Sequence, residues 1–491
     1  MTLIAVLCVA GPVAGGLIAF AAPRVARGSC IAGAAVAVGA AIRLLVGSLD
    51  GASTSQGFTV DPWRAGIALG LAAVATAVFI RDDLAGAAAV AVPASSGAAI
   101  GAILAVDAVT MLAFVALTTA GLGVAAWEAA DRGLGRMFAI LAVSDVSLVA
   151  GVLMVSGSGT RLPVEAAGVG GAFIAAASLV RVGLGTAAWL ERDLDSTPAR
   201  ALLPAVAAHG IVMATWVARS GSDVATAVAV VAGALAALGA RNAATNGSWR
   251  AALHAHAALV VVGVCVGSVA GWWGAVALVA GWLLAWIVRV LGAEATAAPS
   301  IGAAPLGASL VGTALVAHAV LSRGVFEHLF LLAAVPTGAA FLWLAHAGVA
   351  SFRSGGRGSP TITEGMAVLP FLAIAVMVFL PEDALNQIGL RATPAAGAPP
   401  TLIDPTSVVS NELGLVFAVG ALAAVAGWLL VHRRLPARAM VPSVHDGPRR
   451  SRAPAYSASV RASIVVGAVS TSVAVGTLLV LLQRSIQRGF L

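Results

Sequence analysis

The residues best placed to do chemistry lie close together, between Arg181 and His209. Arg181 falls about mid-depth in one apolar run. An acidic turn follows with Glu191, Arg192, Asp193 and Asp195, then Thr197-Pro198, and a second apolar run carries His209. An arginine at the centre of a membrane span costs at least ~2.5–3.5 kcal/mol on insertion scales, so it faces a bundle interior or a wet cavity. A cation in one span and an imidazole in the next therefore point to a charge-conducting interior rather than a lipid-facing wall. The plainer readings are an interior ion pair for Arg181, with a carboxylate or backbone carbonyls, and a hydrogen-bonding strut for His209. The acidic turn reads as a solvated loop that also contacts a neighbouring subunit.

All 28 basic residues are arginine; lysine is absent. Arginine does not give up its proton in a protein, whereas a buried lysine can. Any mechanism that needs a lysine to release a proton is closed to this chain. His209, with an ordinary imidazole titration near ~6.5, is the group in this stretch that can exchange one, leaving Arg181 as a fixed positive charge. His254 and His256 stand two apart, so on one helix they point to different faces and cannot form a paired metal site. They lie within two turns of a cytoplasmic span end, where they are proton-entry candidates. Arg289 is a few residues from a span end, where a long side chain snorkels to the interface. Arg323 sits at a span end, and His318, Glu327 and His328 flank a loop. Cys8, Cys30 and Cys265 are isolated, which implies neither a disulfide framework nor a metal site. No metal and no cofactor is expected.

The elements that hold these groups are membrane helices. Hydrophobic residues make up 60% of the 491 and charged residues 10%, with a mean hydropathy of +0.99. A soluble chain carries about 25% charged residues. At about 20 apolar residues per crossing the chain reads as about sixteen spans. Their limits are 2–22, 29–48, 64–80, 84–105, 107–127, 137–156, 166–189 and 200–219, then 223–240, 251–270, 273–292, 305–321, 326–349, 366–381, 410–431 and 462–482. The fold class is thus all-α, a polytopic bundle of about 14–16 transmembrane helices. It divides into N-terminal helices at 1–105, a core at 106–350 and C-terminal helices at 351–491, the last with a basic loop at 432–461. Gly183 and Gly185 weaken the seventh span just after Arg181, and a break is expected there, since non-helical backbone is tolerated inside protein.

Alternate loops differ in arginine content. One set holds Arg24, Arg27, Arg132, Arg136, Arg192, Arg200, Arg241, Arg250, Arg353, Arg357 and the basic segment 433–461; the other is poor in arginine. The positive-inside rule then puts both termini on the non-cytoplasmic side of the cell membrane. The same loops explain the net charge of +7, and basic stretches interleaved with aromatics are missing, so nucleic acid is not a partner.

The order of features resembles the antiporter-like subunits of respiratory complex I, a superfamily that includes the Mrp antiporters and the membrane subunit of DAB inorganic-carbon uptake systems. Phe58-Thr59-Val60-Asp61-Pro62 resembles the "F-x-V-D" start of the third helix. Asp107 opens a helix where the family has Asn or Asp, and 141–151 (LAVSDVSLVAG) resembles its "N-R-x-G-D…G" helix. The best-matched segment is 189–203 (WLERDLDSTPARALL), similar to "W-L-P-D-A…P-T-P-V-S-A-L-L-H-A". Further matches are 248–253 (SWRAAL), Leu321-Ser322-Arg323 and 364–370 (EGMAVLP), and the overall order is nearest to the complex I subunit L type.

What the resemblance implies is a line of buried ionisable groups that passes protons at mid-membrane, with inverted repeats that no self-similarity in the sequence marks. Carried over residue by residue, the fifth-helix Glu becomes Thr118, the seventh-helix Lys falls at or beside Arg181, and the eighth-helix His becomes Pro204, with His209 five residues on. The eleventh- and twelfth-helix Lys positions fall near Arg289 and Arg323. Asp107 and Glu128 lie about 15 Å along a helix from Thr118 and cannot stand in for the missing Glu. Positive charge is kept while most of the titrating chemistry is gone.

The leading expectation is a membrane subunit of a multisubunit complex that translocates protons, partnered by other membrane subunits and the bilayer. It would be an enzyme only as part of an NADH:quinone oxidoreductase-type translocase, with no redox centre of its own. The alternatives are a proton-inactive structural paralogue or the membrane subunit of a DAB-type complex, then an unrelated secondary transporter. A membrane enzyme acting on lipid-linked sugars ranks last, because Glu382, Asp383, Asp404 and Glu412 are dispersed among prolines.

Overall fold

In the computed structural model the described residues are 1–48, 53–55, 57–84, 86–129, 132–155, 168–184, 196–219, 223–246, 248–291, 312–313, 315–321 and 330–354. Their long helices are α1 (Thr2–Ala21), α2 (Ala26–Ser48), α3 (Pro62–Arg81), α4 (Ala88–Leu104), α5 (Ala108–Ala129) and α6 (Arg132–Val155). They continue with α7 (Gly168–Gly183), α8 (Thr197–Arg219), α9 (Asp223–Asn246), α10 (Trp249–Val266), α11 (Val269–Leu291) and α12 (Leu331–Ser354). Among the described residues nine helical segments are long and apolar enough to cross a membrane, and three shorter apolar ones accompany them. The chain is a multi-pass, all-α membrane protein. The expected spans at 366–381, 410–431 and 462–482 lie outside the described residues, as do 305–311 and 314 of the span at 305–321.

Local chemistry sets the helix ends. Asp61 is the N-cap of α3: its carboxylate accepts from the Arg64 backbone N–H at 2.8 Å, and Pro62 occupies the first turn, where a missing N–H costs nothing. Ser248 caps α10 by accepting from Ala251 N–H at 3.0 Å, and Gly267 closes it in a left-handed conformation, φ +66°. Asp107 caps α5, accepting from Thr110 N–H at 2.7 Å and from the Thr110 hydroxyl at 2.7 Å. Glu128, near the far end of α5, accepts from the Ala87 N–H at 2.8 Å and so supplies the N-terminus of α4 with the cap its own sequence lacks. The segment before α3 is more than a loop. Ser53–Ser55 (β1) pairs antiparallel with Phe58–Val60 (β2), turning through Gly57 at φ +83°.

The described residues gather into two compact units, with boundaries inside α7 and α8. The first takes the described residues of Met1–Arg181 and Arg192–Trp216. There α1 packs on α2 and α4, α2 on α3, and α5 on both α4 and α6. Small residues let α1 and α2 approach backbone to backbone: a methyl group on Gly11 would stand 2.7 Å from the Gly33 carbonyl oxygen. In the second unit α9 packs against α10 and α12, and α10 against α11. Gly263 of α10 and Gly271 of α11 make the same kind of contact, 2.6 Å from a would-be methyl to the opposing carbonyl.

Burial separates the helices by role. In α8 and α10 94% of the apolar window is buried, against 39% in α1 and 33% in the span that includes α2. The peripheral helices show Leu3, Leu17 and Phe20 at their surfaces, side chains suited to hydrocarbon. The enclosed ones carry His209, His254 and His256.

Candidate functional site

The first unit holds a charged triad on three consecutive helices. Asp145 comes from the middle of α6, Arg181 from the last turn of α7 and His209 from the middle of α8, all of them buried. Arg181 Nη2 donates to Asp145 Oδ1 in a direct ion pair. Its Nη1 stands 3.4 Å from His209 Nδ1, and His209 Nε2 stands 3.3 Å from the Ala99 carbonyl oxygen on α4. A guanidinium only donates, so Nδ1 must accept and the imidazole proton must sit on Nε2, where it is donated to Ala99. The two contacts together select one tautomer of a neutral ring.

Neighbouring polar groups lock the helices in this register. The Ser144 hydroxyl, next to Asp145, donates to the Ala177 carbonyl at 3.2 Å. The Ser178 hydroxyl, one turn before Arg181, donates to the Gly210 carbonyl at 2.7 Å. Thus α6 is tied to α7 and α7 to α8 at the very level of the triad. Thr119 on α5 donates to the Val115 carbonyl at 3.2 Å and lies beside the Asp145 carboxyl group. Among the described residues Asp145 Oδ2 and Arg181 Nε have no hydrogen-bond partner.

The expected member on α5, Thr118, is buried, and its hydroxyl donates to the Phe114 carbonyl of its own helix at 2.9 Å. It joins no charge among the described residues. Asp107 and Glu128 are taken up by the helix-capping contacts above. The acidic partner of Arg181 is therefore on α6, and the sequence expectation missed it. The signal was present: Asp145 is a lone carboxylate in a long apolar run, the same feature that singled out Arg181.

The second unit is built around α10. His254 and His256 are both buried, and as their spacing demands they face different neighbours. His254 Nδ1 stands 3.1 Å from the Val182 carbonyl oxygen, and its ring meets Trp286 edge-on at 6.4 Å. Trp249 also meets Trp286 edge-on, at 5.1 Å, and the Arg250 guanidinium lies 5.1 Å from the Trp249 ring centre. Among the described residues His254 Nε2, both ring nitrogens of His256, and the indole N–H groups of Trp282 and Trp286 have no hydrogen-bond partner. Arg289 lies near the C-terminal end of α11, and His318 is half-buried on the helical segment 315–321. Arg323, Glu327, His328 and the turn from Glu191 to Asp195 lie outside the described residues. The helix α7 ends at Gly183; the rest of the expected break, from Gly185, lies outside them too.

No protein-family model and no curated protein sequence matches the chain. Solved structures do. A chain of respiratory complex I from Thermus thermophilus with bound NADH superposes with a TM-score of 0.58 at 18% identity, covering 79% of this chain and 98% of that one. A chain of the Mrp complex from Dietzia sp. DQ12-45-1b gives 0.57 at 14% identity, over 89% of this chain and 57% of that one. A chain of the membrane-bound sulfane sulfur reductase, an archaeal respiratory membrane complex, gives 0.55 at 14%, over 79% and 97%. The chain shares the fold of these chains with a strongly diverged sequence.

Proposed function

We propose that this chain is a membrane subunit of a multisubunit, ion-translocating complex related to complex I and Mrp assemblies, and that it carries protons in the manner of the complex I subunit L type. The observation that supports this reading best is the buried Asp145–Arg181 pair backed by His209. A buried ion pair is poor value as mere glue: well-packed apolar residues in its place are often as stable or more so. Ionisable groups inside a membrane bundle mark ion paths. In this reading Arg181 is the fixed charge of the path and His209 its neighbour, with His254 and His256 as further candidate carriers and Arg289 and Arg323 at the later cation positions of the resemblance. The partners are other membrane subunits, and both termini lie on the non-cytoplasmic side. Labelling a cysteine placed at Ser451 from that same side would refute the topology.

The test is proton flux in vesicles containing the purified complex. Flux that Arg181→Gln removes, and that Arg181→Lys leaves measurable with an altered pH dependence, supports the proposal. A second reading, an assembly subunit with a broken path, is favoured by Thr118, whose hydroxyl is spent inside its own helix where the resemblance has Glu. Vesicles of the intact complex with no flux through this subunit would decide for it. A co-purifying redox-centre subunit would mark a respiratory complex, and a large cytoplasmic zinc protein would mark a DAB-type one.

A further inference from the structure

We infer that Asp145 is the proton-carrying residue of the first unit, with the proton taken on Oδ2, and that His209 is a positioning residue for Arg181 rather than the carrier. The inference rests on the proton-translocation reading above and names the atom that reading leaves open. Of the three buried groups, Arg181 keeps its proton at any accessible pH. His209 can take a proton on Nδ1 only by giving up the Arg181 contact there, since a protonated ring has two donors and the guanidinium offers no acceptor. Asp145 meets no such conflict. Oδ1 holds Arg181, while Oδ2 is buried without a hydrogen-bond partner among the described residues. A proton there leaves the Arg181 contact on Oδ1 in place.

The charges balance simply. One proton added to Oδ2 turns the neutral Asp145–Arg181 pair into a neutral acid beside a bare cation, and its release restores the pair. Among the described residues no other group around Asp145 competes. From α7 it meets Arg181, behind which stands His209 of α8; α5 presents the Thr119 hydroxyl, while its carboxylates Asp107 and Glu128 are held in capping contacts. The chain has thereby moved its acid from the α5 position, now Thr118, to α6. It has also exchanged roles, because with arginine as the cation the carboxylate must be the member that titrates.

Infrared difference spectra of the whole complex in vesicles, recorded across a pH step alongside proton flux, test this. The unmodified protein should show a carboxylic-acid carbonyl band that grows as pH falls, and Asp145→Asn should lose both that band and at least tenfold of the flux. Asp145→Glu should restore part of each. Because Asp145→Asn leaves Arg181 bare and can fail to assemble, Asp145→Asn with Arg181→Gln, which removes both charges, serves as the folded control; it should assemble and show neither band nor flux. His209→Ala should keep the band and lower flux. Full flux in assembled Asp145→Asn, or an unchanged band there, would overturn the inference while leaving proton translocation standing. No flux in the unmodified complex would instead defeat the translocation reading itself.

Discussion

Arg181 in the first unit and His256 in the second are both buried, yet their surroundings are opposites. Arg181 is met by a carboxylate from α6 and an imidazole from α8, while His256 finds no hydrogen-bond partner among the described residues for either ring nitrogen. Charge accounts for the difference. A guanidinium cannot become neutral, so burying it demands a counter-ion in the same interior. An imidazole can enter as a neutral ring and tolerate poor polar company at the cost of unmade hydrogen bonds, about 1–3 kcal/mol for a buried unsatisfied group. The first unit thus answers charge with charge, whereas in the second, among the described residues, His256 of α10 and the indole N–H groups of Trp282 and Trp286 on α11 have no hydrogen-bond partner.

The largest effect should come from breaking the pair on one side only. Arg181→Ala or Asp145→Ala strands an opposite charge and should cost about 3–5 kcal/mol, while Asp145→Leu with Arg181→Met should recover most of it. Thermal unfolding in detergent, arranged as a double-mutant cycle, reads this directly; equal stability for all four forms would mean the charges are not buried together. Next, Gly263→Val puts a methyl against the Gly271 carbonyl and should force α10 from α11 at about 1–3 kcal/mol. The His254–Trp286 contact should loosen with it, which tryptophan fluorescence would register.

Ser178→Ala removes the 2.7 Å strap to Gly210 and should cost about 0.6 kcal/mol, the average for hydrogen bonds between membrane helices, and no more than about 1.7 kcal/mol. Its signature is a flux loss out of proportion to the stability loss, because Arg181 sits one turn away. The smallest effect belongs to His256→Leu, within about 1.5 kcal/mol either way, since the ring gives up no hydrogen bond made within the described residues. A loss of several kcal/mol there would show that the second unit's polar atoms are engaged, and the contrast between the two units would collapse.

The helices were legible because apolar length is a direct physical requirement: each of the twelve long helices among the described residues falls on a run already marked by hydropathy. The start of α3 was legible as well, since Asp61-Pro62 is a capping signal with a mechanism. The hairpin of β1 and β2 was not, being too short for its alternation to show. At the site, Arg181, His209, His254 and His256 stood out because polar side chains in apolar runs always do. The pairing with Asp145 did not, since its partner is 36 residues away and spacing along the chain says nothing about which helices are neighbours. The resemblance pointed to α5 and Thr118 for an acid, when the general rule for intramembrane charge would have pointed to α6.

The contact between α1 and α2 is made of main chain, at Gly11 and Gly33. An interface of side chains yields by changing rotamers and lets one helix creep past another. Carbonyls set against glycines leave no such give. Movement of α1 along α2 would have to go by a whole helical turn, about 5.4 Å, into the next set of small residues, or not at all. The two helices therefore behave as one stiff stave, and a push on either is delivered to the other.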